Sequence, residues 1–269
     1  MKKFICFLIP FCFLRLCLTA YGEVITGQVN QDEMIRENQV IDMRTGEGIE
    51  NAKITIPSKN YTVSTDSYGR FQLKTKIDSS TILSVEKEGY KPFTITINRD
   101  TLYEPLKIGI EKLSANDIVL DNTLYHLGDN VFSAGSANCN QFKAESIGPY
   151  VHKEFSLKQI DSDKRVFLVI GSVIGLDTKS AKDLRQNSIY HVYSSPALVF
   201  FNGQKIGELT VNGDSKKIPI PTSLIRGKNE VTIQTGRNLF QTAYVDYDDI
   251  EIMGLSIEIR EKDVFGYFK

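Results

Sequence analysis

Apolar and polar residues alternate along the first half of the chain with the period of two that is typical of half-buried β-strands. The alternating apolar positions are Ile54 and Ile56, Phe71 and Leu73, Leu83 and Val85, and Phe93, Ile95 and Ile97. Turn residues separate these stretches, and no helical period of useful length interrupts them. The pattern therefore predicts an all-β protein.

The second half of the chain contains longer apolar runs. Residues 165–170 and 197–201 are almost continuously apolar, which is typical of central strands covered on both sides. Asn202 and Gly203 follow the second run and predict a hairpin turn. Prolines cannot donate to a sheet ladder, so they are expected at strand ends or edges. Three prolines mark such positions: Pro196, Pro219 and Pro221.

Residues in and after the turn that precedes Phe71 each have a structural role. Asp66 can accept bonds from the turn backbone, Gly69 can adopt a positive φ, and Phe71 opens the next strand toward the core. These roles are architectural. They explain Asp66 without a catalytic function.

This turn belongs to a longer pattern at residues 25–29, 45–56, 65–71 and 88–90. The pattern resembles the carboxypeptidase regulatory-like, or transthyretin-like, β-sandwich over residues 24–113. The resemblance implies a small sandwich whose matching residues are scaffolding. Residues 30–40 look like an insertion between its first strand and the next turn.

Residues 118–259 carry a second, looser pattern. The hairpin at residues 202–207, the stretch 218–233 and the closing stretch 246–252 resemble the jelly rolls of galactose-binding-like domains and carbohydrate-binding modules. The order of the two domains is similar to the accessory domains of fungal-type rhamnogalacturonan lyases, without their catalytic domain. The resemblance implies two β-sandwiches, the second of which faces a sugar.

The expected organisation is a signal peptide at residues 1–22, domains at 23–113 and 115–259, and a tail at 260–269. Lys2 and Lys3 precede an apolar run too short to span a membrane, and small residues end it. We expect export to the periplasm, the cell surface or the exterior, with no transmembrane segment in the mature chain. Cys139 would then be the one cysteine left, so no internal disulfide is expected.

The charge of the mature chain excludes some partners. Without residues 1–22, 29 basic residues stand against 33 acidic ones, a net charge of about −4. No dense run of lysine and arginine forms the basic stripe that a nucleic acid or an anionic bilayer requires. No nucleophile elbow, zinc-protease motif or phosphate loop is present either, so we expect no enzyme activity.

Clustered carboxylates before the last strand suggest a calcium site. If Ile250 points inward, the period of two turns Asp248 toward the same side, where a buried charge needs a partner. Calcium takes oxygen ligands, and the resemblance places such an ion near Asp129. Asp249 would take the place of Asp248 if a β-bulge shifted the register. Gly254 indicates such a bulge, because the apolar residues lie at even positions before it and at odd positions after it. The alternative is that Asp248 accepts backbone N–H bonds or pairs with a lysine.

Sugar recognition normally stacks an aromatic ring on the sugar and frames it with polar side chains. The chain has no tryptophan, and the best candidate is one polar, aromatic loop. Its predicted ligand residues are Arg185, Asn187, Tyr190, His191 and Tyr193. A second candidate is Tyr150 with His152, and the alternative for both sets is packing or rim residues.

The patterns together predict an exported, non-catalytic binding protein of two β-sandwiches that recognises carbohydrate through the second. The alternative is a structural or assembly subunit that uses the jelly roll to bind a protein of the cell envelope.

Overall fold

A computed structural model describes residues 37–129, 142–157, 160–161, 163–186 and 193–262 of the chain. Strands dominate these residues and confirm the predicted all-β class. The described part contains one short α-helix, α1 (Lys179–Asp183), and three 3-10 turns (Pro57–Lys59, Asp100–Leu102 and Thr222–Leu224). None of its helices is long and apolar enough to cross a membrane.

Seven strands of the described residues build the first sandwich. They are β1 (Asn38–Asp42), β2 (Lys53–Ile56), β3 (Tyr61–Ser64), β4 (Arg70–Phe71), β5 (Thr81–Glu86), β6 (Phe93–Ile97) and β7 (Lys107–Ile110). Strands β4, β1 and β7 form one sheet, and β3, β2, β5 and β6 form the other. The alternating apolar residues meet between the two sheets in a core that extends from Val40 to Ile110.

The turn before Phe71 forms as the sequence predicts. Asp66 Oδ1 accepts hydrogen bonds from the backbone N–H of Tyr68 (2.9 Å) and of Arg70 (2.8 Å). Gly69 has a φ of +75°, and Phe71 is buried in the core. One expectation is wrong: the strand before the Thr45 turn is β1, so residues 38–40 belong to a strand and not to an insertion. Residues 25–29 lie outside the described part.

Nine further strands within the described ranges build the second sandwich. They are β8 (Asp117–Asp121), β9 (Tyr125–Leu127), β10 (Tyr150–Ser156), β11 (Lys164–Ile174), β12 (Ala197–Phe201), β13 (Gln204–Leu209), β14 (Gly213–Ile220), β15 (Lys228–Gln234) and β16 (Ile250–Glu261). Strands β10, β15, β12 and β13 form what we call the open sheet. Strands β14, β11, β16 and β8, with β9 also paired to β16, form what we call the covered sheet.

The hairpin and proline predictions are confirmed in this sandwich. Asn202 (φ 49°) and Gly203 (φ 78°) connect β12 to β13, because a tight hairpin needs two left-handed residues. Pro219 lies in β14, an edge strand of the covered sheet. The second core draws on residues from Ile118 to Ile259 and shares none with the first. The exact domain boundaries stay predictions.

In the two long strands of the covered sheet, β11 and β16, the alternation of core-facing residues shifts by one position at the same level of the sheet. Ile252 and Leu255 of β16 both enter the core, as do Ile170 and Val173 of β11. Gly254, with a φ of +79°, allows the change in β16. The β11–β16 pairing keeps one register across this point. The pairing of β16 with β8 shifts register between Leu255 and Ser256, directly after Gly254, where the sequence suggests a bulge.

The first sandwich packs on the outer face of the covered sheet. Ser172 Oγ lies 2.9 Å from Thr94 Oγ1 and donates to Asp214 Oδ1 (2.7 Å), which also accepts from Thr96 N (3.0 Å). A Cβ at Gly171 would lie 2.3 Å from Thr94 Oγ1, so glycine is what allows this approach. All described residues belong to one compact unit.

Candidate functional site

One end of the second sandwich gathers the described residues of four loops, which connect β9 to β10, β11 to β12, β13 to β14 and β15 to β16. We call it the loop end. Isolated bridges order the second and the fourth of these loops: Ser194 pairs with Thr178 and with Asn238, and Arg237 pairs with Tyr247. The antiparallel order of the strands thus brings together segments that are distant in sequence.

Two buried aspartates form the floor of the loop end. Asp177 and Asp248 are 1 % and 4 % exposed. The backbone N–H of Asp177 donates to Asp248 Oδ2 (3.1 Å), and Thr235 Oγ1 donates to the backbone oxygen of Asp248 (2.6 Å). Burial and the neighbouring Asp177 carboxylate raise the pKa of Asp248 well above its usual range. The pair therefore favours a bound proton or a cation.

A third buried aspartate, Asp246, is held by Asn238. Asn238 Nδ2 donates to Asp246 Oδ2 (2.9 Å), and the Asn238 backbone N–H donates to the Asp246 carbonyl (2.8 Å). The loop can close this tightly because residue 236 is glycine: a Cβ at Gly236 would lie 1.9 Å from the Ser195 carbonyl oxygen.

The three predicted calcium ligands have three different sets of partners. Asp129 Oδ2 accepts from Tyr247 N (2.9 Å), and Asp249 Oδ1 lies 2.8 Å from His126 Nε2. Asp248 accepts from the Asp177 backbone, which is the alternative that the sequence left open. The described residues do not bring these three carboxylates together as one ligand set. Sequence reasoning missed Asp177, because nothing in the sequence pairs its loop with Asp248.

An aromatic pair stands at the rim of the loop end. The rings of Tyr193 and Phe240 lie 5.5 Å apart at 38°, and Lys182 Nζ lies 4.3 Å from the centroid of the Tyr193 ring. Leu239 N donates to the Tyr193 carbonyl (2.8 Å), which fixes the Phe240 loop beside the tyrosine. Phe240 is 62 % exposed and presents an aromatic surface to solvent.

The predicted ligand loop is placed only in part. Asn187, Tyr190 and His191 lie outside the described residues. Arg185 is exposed just after α1 with a φ of 57°, and Tyr193 belongs to the aromatic rim.

The second predicted pair, Tyr150 and His152, lies on β10 and faces outward from the open sheet. Tyr150 begins this strand at the loop end, since Thr235 N, just after β15, donates to the carbonyl of Pro149 (2.8 Å). His152 lies one outward position further along the sheet. Phe200 and Leu198 are also only half-buried on this face, so β12 is not covered on both sides as the sequence predicts.

A buried histidine, His126, lies on the covered sheet. Its Nδ1 lies 2.7 Å from the Ala144 carbonyl, which can only accept, so Nδ1 carries a proton, while Nε2 bonds Asp249. Burial alone would lower the pKa of His126, but the bonds to Asp249 and Ala144 raise it above its usual value. Glu251 is paired opposite His126. We call His126, Asp249 and Glu251 the covered histidine cluster.

Glu251 is the least satisfied member of this cluster. It is 1 % exposed, and its Oε1 has no hydrogen-bond partner among the described residues. Burial raises the pKa of Glu251 to about 7, an effect that His126 partly opposes. With both nitrogens of His126 engaged, this cluster has no ring nitrogen left to bind a metal ion.

A cleft of about 300 Å³ lies between the first sandwich and the covered sheet. Its charged walls are neutralised internally: Lys91 pairs with Asp117 (3.0 Å) and Lys217 pairs with Glu258 (2.8 Å). These pairs leave the cleft without an evident charge preference.

A comparison of the chain with protein-family models and with curated proteins found no match.

Proposed function

We propose that this protein is an exported, non-catalytic binding protein that recognises carbohydrate at the loop end of its second sandwich. The observation that carries the proposal is the aromatic pair of half-buried Tyr193 and exposed Phe240. Aromatic faces stack on the C–H faces of sugars, and Phe240 presents such a face to solvent. The proposed resemblance to galactose-binding-like modules supports the same ligand class.

Export is part of the proposal and rests on the sequence of residues 1–22, which lie outside the described part. A periplasmic, cell-surface or extracellular location is compatible with that sequence. Immunoblotting of cell fractions for a chain shortened by about this segment tests it.

Calcium at the loop end is also a proposal. The pair Asp177 and Asp248 supports it, because their mutual repulsion would be relieved by a cation. Backbone carbonyls would have to complete the site, since calcium takes six to eight oxygens. A calcium-dependent rise in melting temperature that Asp248→Asn abolishes is the expected result.

The test of carbohydrate binding is retention of the full chain on polysaccharide affinity gels. Tyr193→Ala and Phe240→Ala should each lose about 1 kcal/mol of binding, or roughly a fivefold loss of affinity. Tyr103→Ala is the matched control, because Tyr103 is 74 % exposed but belongs to the first sandwich. The control should bind like the wild type.

A protein-binding role in a cell-envelope assembly is the second candidate. It is favoured by the amount of apolar surface at the loop end. Leu184, Leu239, Phe240, Tyr244 and Val245 are each at least 51 % exposed, and contiguous exposed apolar surface marks interaction sites. If the wild type is retained on no polysaccharide, and Phe240→Ala releases an envelope protein that co-purifies with the wild type, the assembly role replaces sugar binding.

A further inference from the structure

The open sheet carries a second histidine with two carboxylates. In the antiparallel pairing of β10 with β15, Glu154 lies directly opposite Glu230, and His152 lies opposite Thr232. Val231 between them faces the core, so His152, Glu154 and Glu230 all project from the outer face. We call these three residues the open histidine cluster.

The ligand atoms of the open histidine cluster converge. One nitrogen of His152 and one oxygen from each glutamate lie within 4.8 Å of one another. His152 Nδ1 and Glu230 Oε1 lie 4.0 Å apart, which is too long for a hydrogen bond. Ligands that each bind one ion at about 2.0–2.2 Å lie slightly closer together than this. Small rotations of these solvent-facing side chains would therefore close the set around an ion.

Orientation and charge both favour a cation at this point. Thr232 Oγ1 donates to Glu230 Oε1 (3.0 Å) and so orients that carboxylate, as outer residues do at metal sites. Like charges directly opposite on neighbouring strands are destabilising. Within the described ranges no lysine or arginine forms an ion pair with Glu154 or Glu230.

We propose that His152, Glu154 and Glu230 bind one zinc ion on the outer face of the open sheet. The donor set is one imidazole nitrogen and two carboxylate oxygens, and imidazole favours zinc over calcium, which prefers oxygen alone. The side chains of His152 and Glu230 are 51 % and 40 % exposed. One side of the ion therefore faces solvent and has room for a water molecule or for a ligand oxygen. The proposal is independent of sugar binding at the loop end.

The test is calorimetric titration of the full chain with zinc chloride at pH 7, after removal of metals with EDTA. The wild type should bind one equivalent of zinc that His152→Ala loses. Glu154→Gln and Glu230→Gln should each weaken this equivalent at least tenfold, because a neutral amide is a poorer ligand than a carboxylate. Calcium in the same titration should give no heat that depends on His152.

The matched control is Glu208→Gln on β13 of the same sheet, whose carboxylate pairs with Lys205. It should bind zinc like the wild type. Melting curves of each metal-free variant confirm folding, and the two Glu→Gln changes keep the shape of the side chain. Equal zinc binding by the wild type and all three cluster variants overturns the proposal. So does an equal loss in Glu208→Gln, because it would indicate general surface charge and not a site.

Discussion

The covered and open histidine clusters contain the same kinds of residue, one histidine and two carboxylates on neighbouring strands, but have different surroundings. His126 and Glu251 are sealed beneath other parts of the chain, whereas the side chain of His152 is 51 % exposed. Both nitrogens of His126 are bonded, so the covered cluster has no free ligand atom on its ring. The open cluster keeps its ligand atoms available. Coverage decides whether the same residues serve folding or binding.

The largest effect on stability is expected from removing packing on the covered face of the second sandwich. Ile82 is 1 % exposed and packs with Ile174 and Met253 across the two sandwiches. Ile82→Ala should lower the free energy of unfolding by about 2–4 kcal/mol, measured by denaturant titration. Phe200→Ala on the open sheet is the control and should cost less, because Phe200 is only half-buried whereas Ile82 is 1 % exposed. Equal losses would mean that the covered face is not covered in solution.

The second prediction concerns the pH dependence of the covered cluster. The pKa of Glu251 is raised from 4.5 to about 7 in the folded chain, so the unfolded chain releases this proton first as pH rises. Stability should therefore fall between about pH 4.5 and 7. The raised pKa of His126 acts in the same direction, because its contribution is present below the unfolded pKa of 6.5 and is lost as pH rises through the folded value.

Glu251→Gln isolates this effect. At pH 8 the variant should be more stable than the wild type by about 1–3 kcal/mol, since the amide carries no charge to bury. At pH 4.5 the two should be nearly equal. Denaturant titrations at both pH values measure the difference, and an advantage for the variant that does not grow with pH would contradict the assignment.

The smallest expected effect on stability concerns the open histidine cluster. Glu154→Gln removes the repulsion with Glu230 and should raise the stability of the metal-free chain by about 0.2–0.5 kcal/mol at low salt. The gain should shrink at high ionic strength, because exposed charges are screened there. Saturating zinc should reverse the order of the two proteins in a thermal melt. A gain of the same size at every salt concentration would mean that charge repulsion is not its source.

The sequence predicted the local structure well because local structure depends on neighbouring residues. The Asp66 turn, the Asn202–Gly203 hairpin and the parity change at Gly254 all follow from backbone conformations that few residue types adopt. The expected insertion is wrong at residues 38–40 for a related reason. The strand Asn38–Asp42 has two adjacent apolar residues, Val40 and Ile41, and lacks the alternation that marks a strand locally, so only its pairing with β4 and β7 identifies it.

The candidate sites were predictable only in part. The sequence identified Tyr193 and Asp248 because an aromatic loop and a carboxylate next to an apolar strand stand out locally. It missed Asp177, 71 positions from Asp248, and Phe240, 47 positions from Tyr193, because no local pattern relates them. Gly128 shows the limit most clearly: a Cβ there would lie 2.0 Å from Asp249 Oδ1, a contact that exists only once β9 and β16 pair.

The sequence by itself determined the class of the fold, the positions of its turns and which strand residues face a core. Only the tertiary structure decided which outer face of the second sandwich is covered and which is open. The reason is that alternation assigns a residue to one side of its strand, whereas the environment on that side depends on distant segments that pack there. His126 and His152 each lie on an outer face, and only the docking of Ile82 and Phe142 over the covered sheet makes one of them structural.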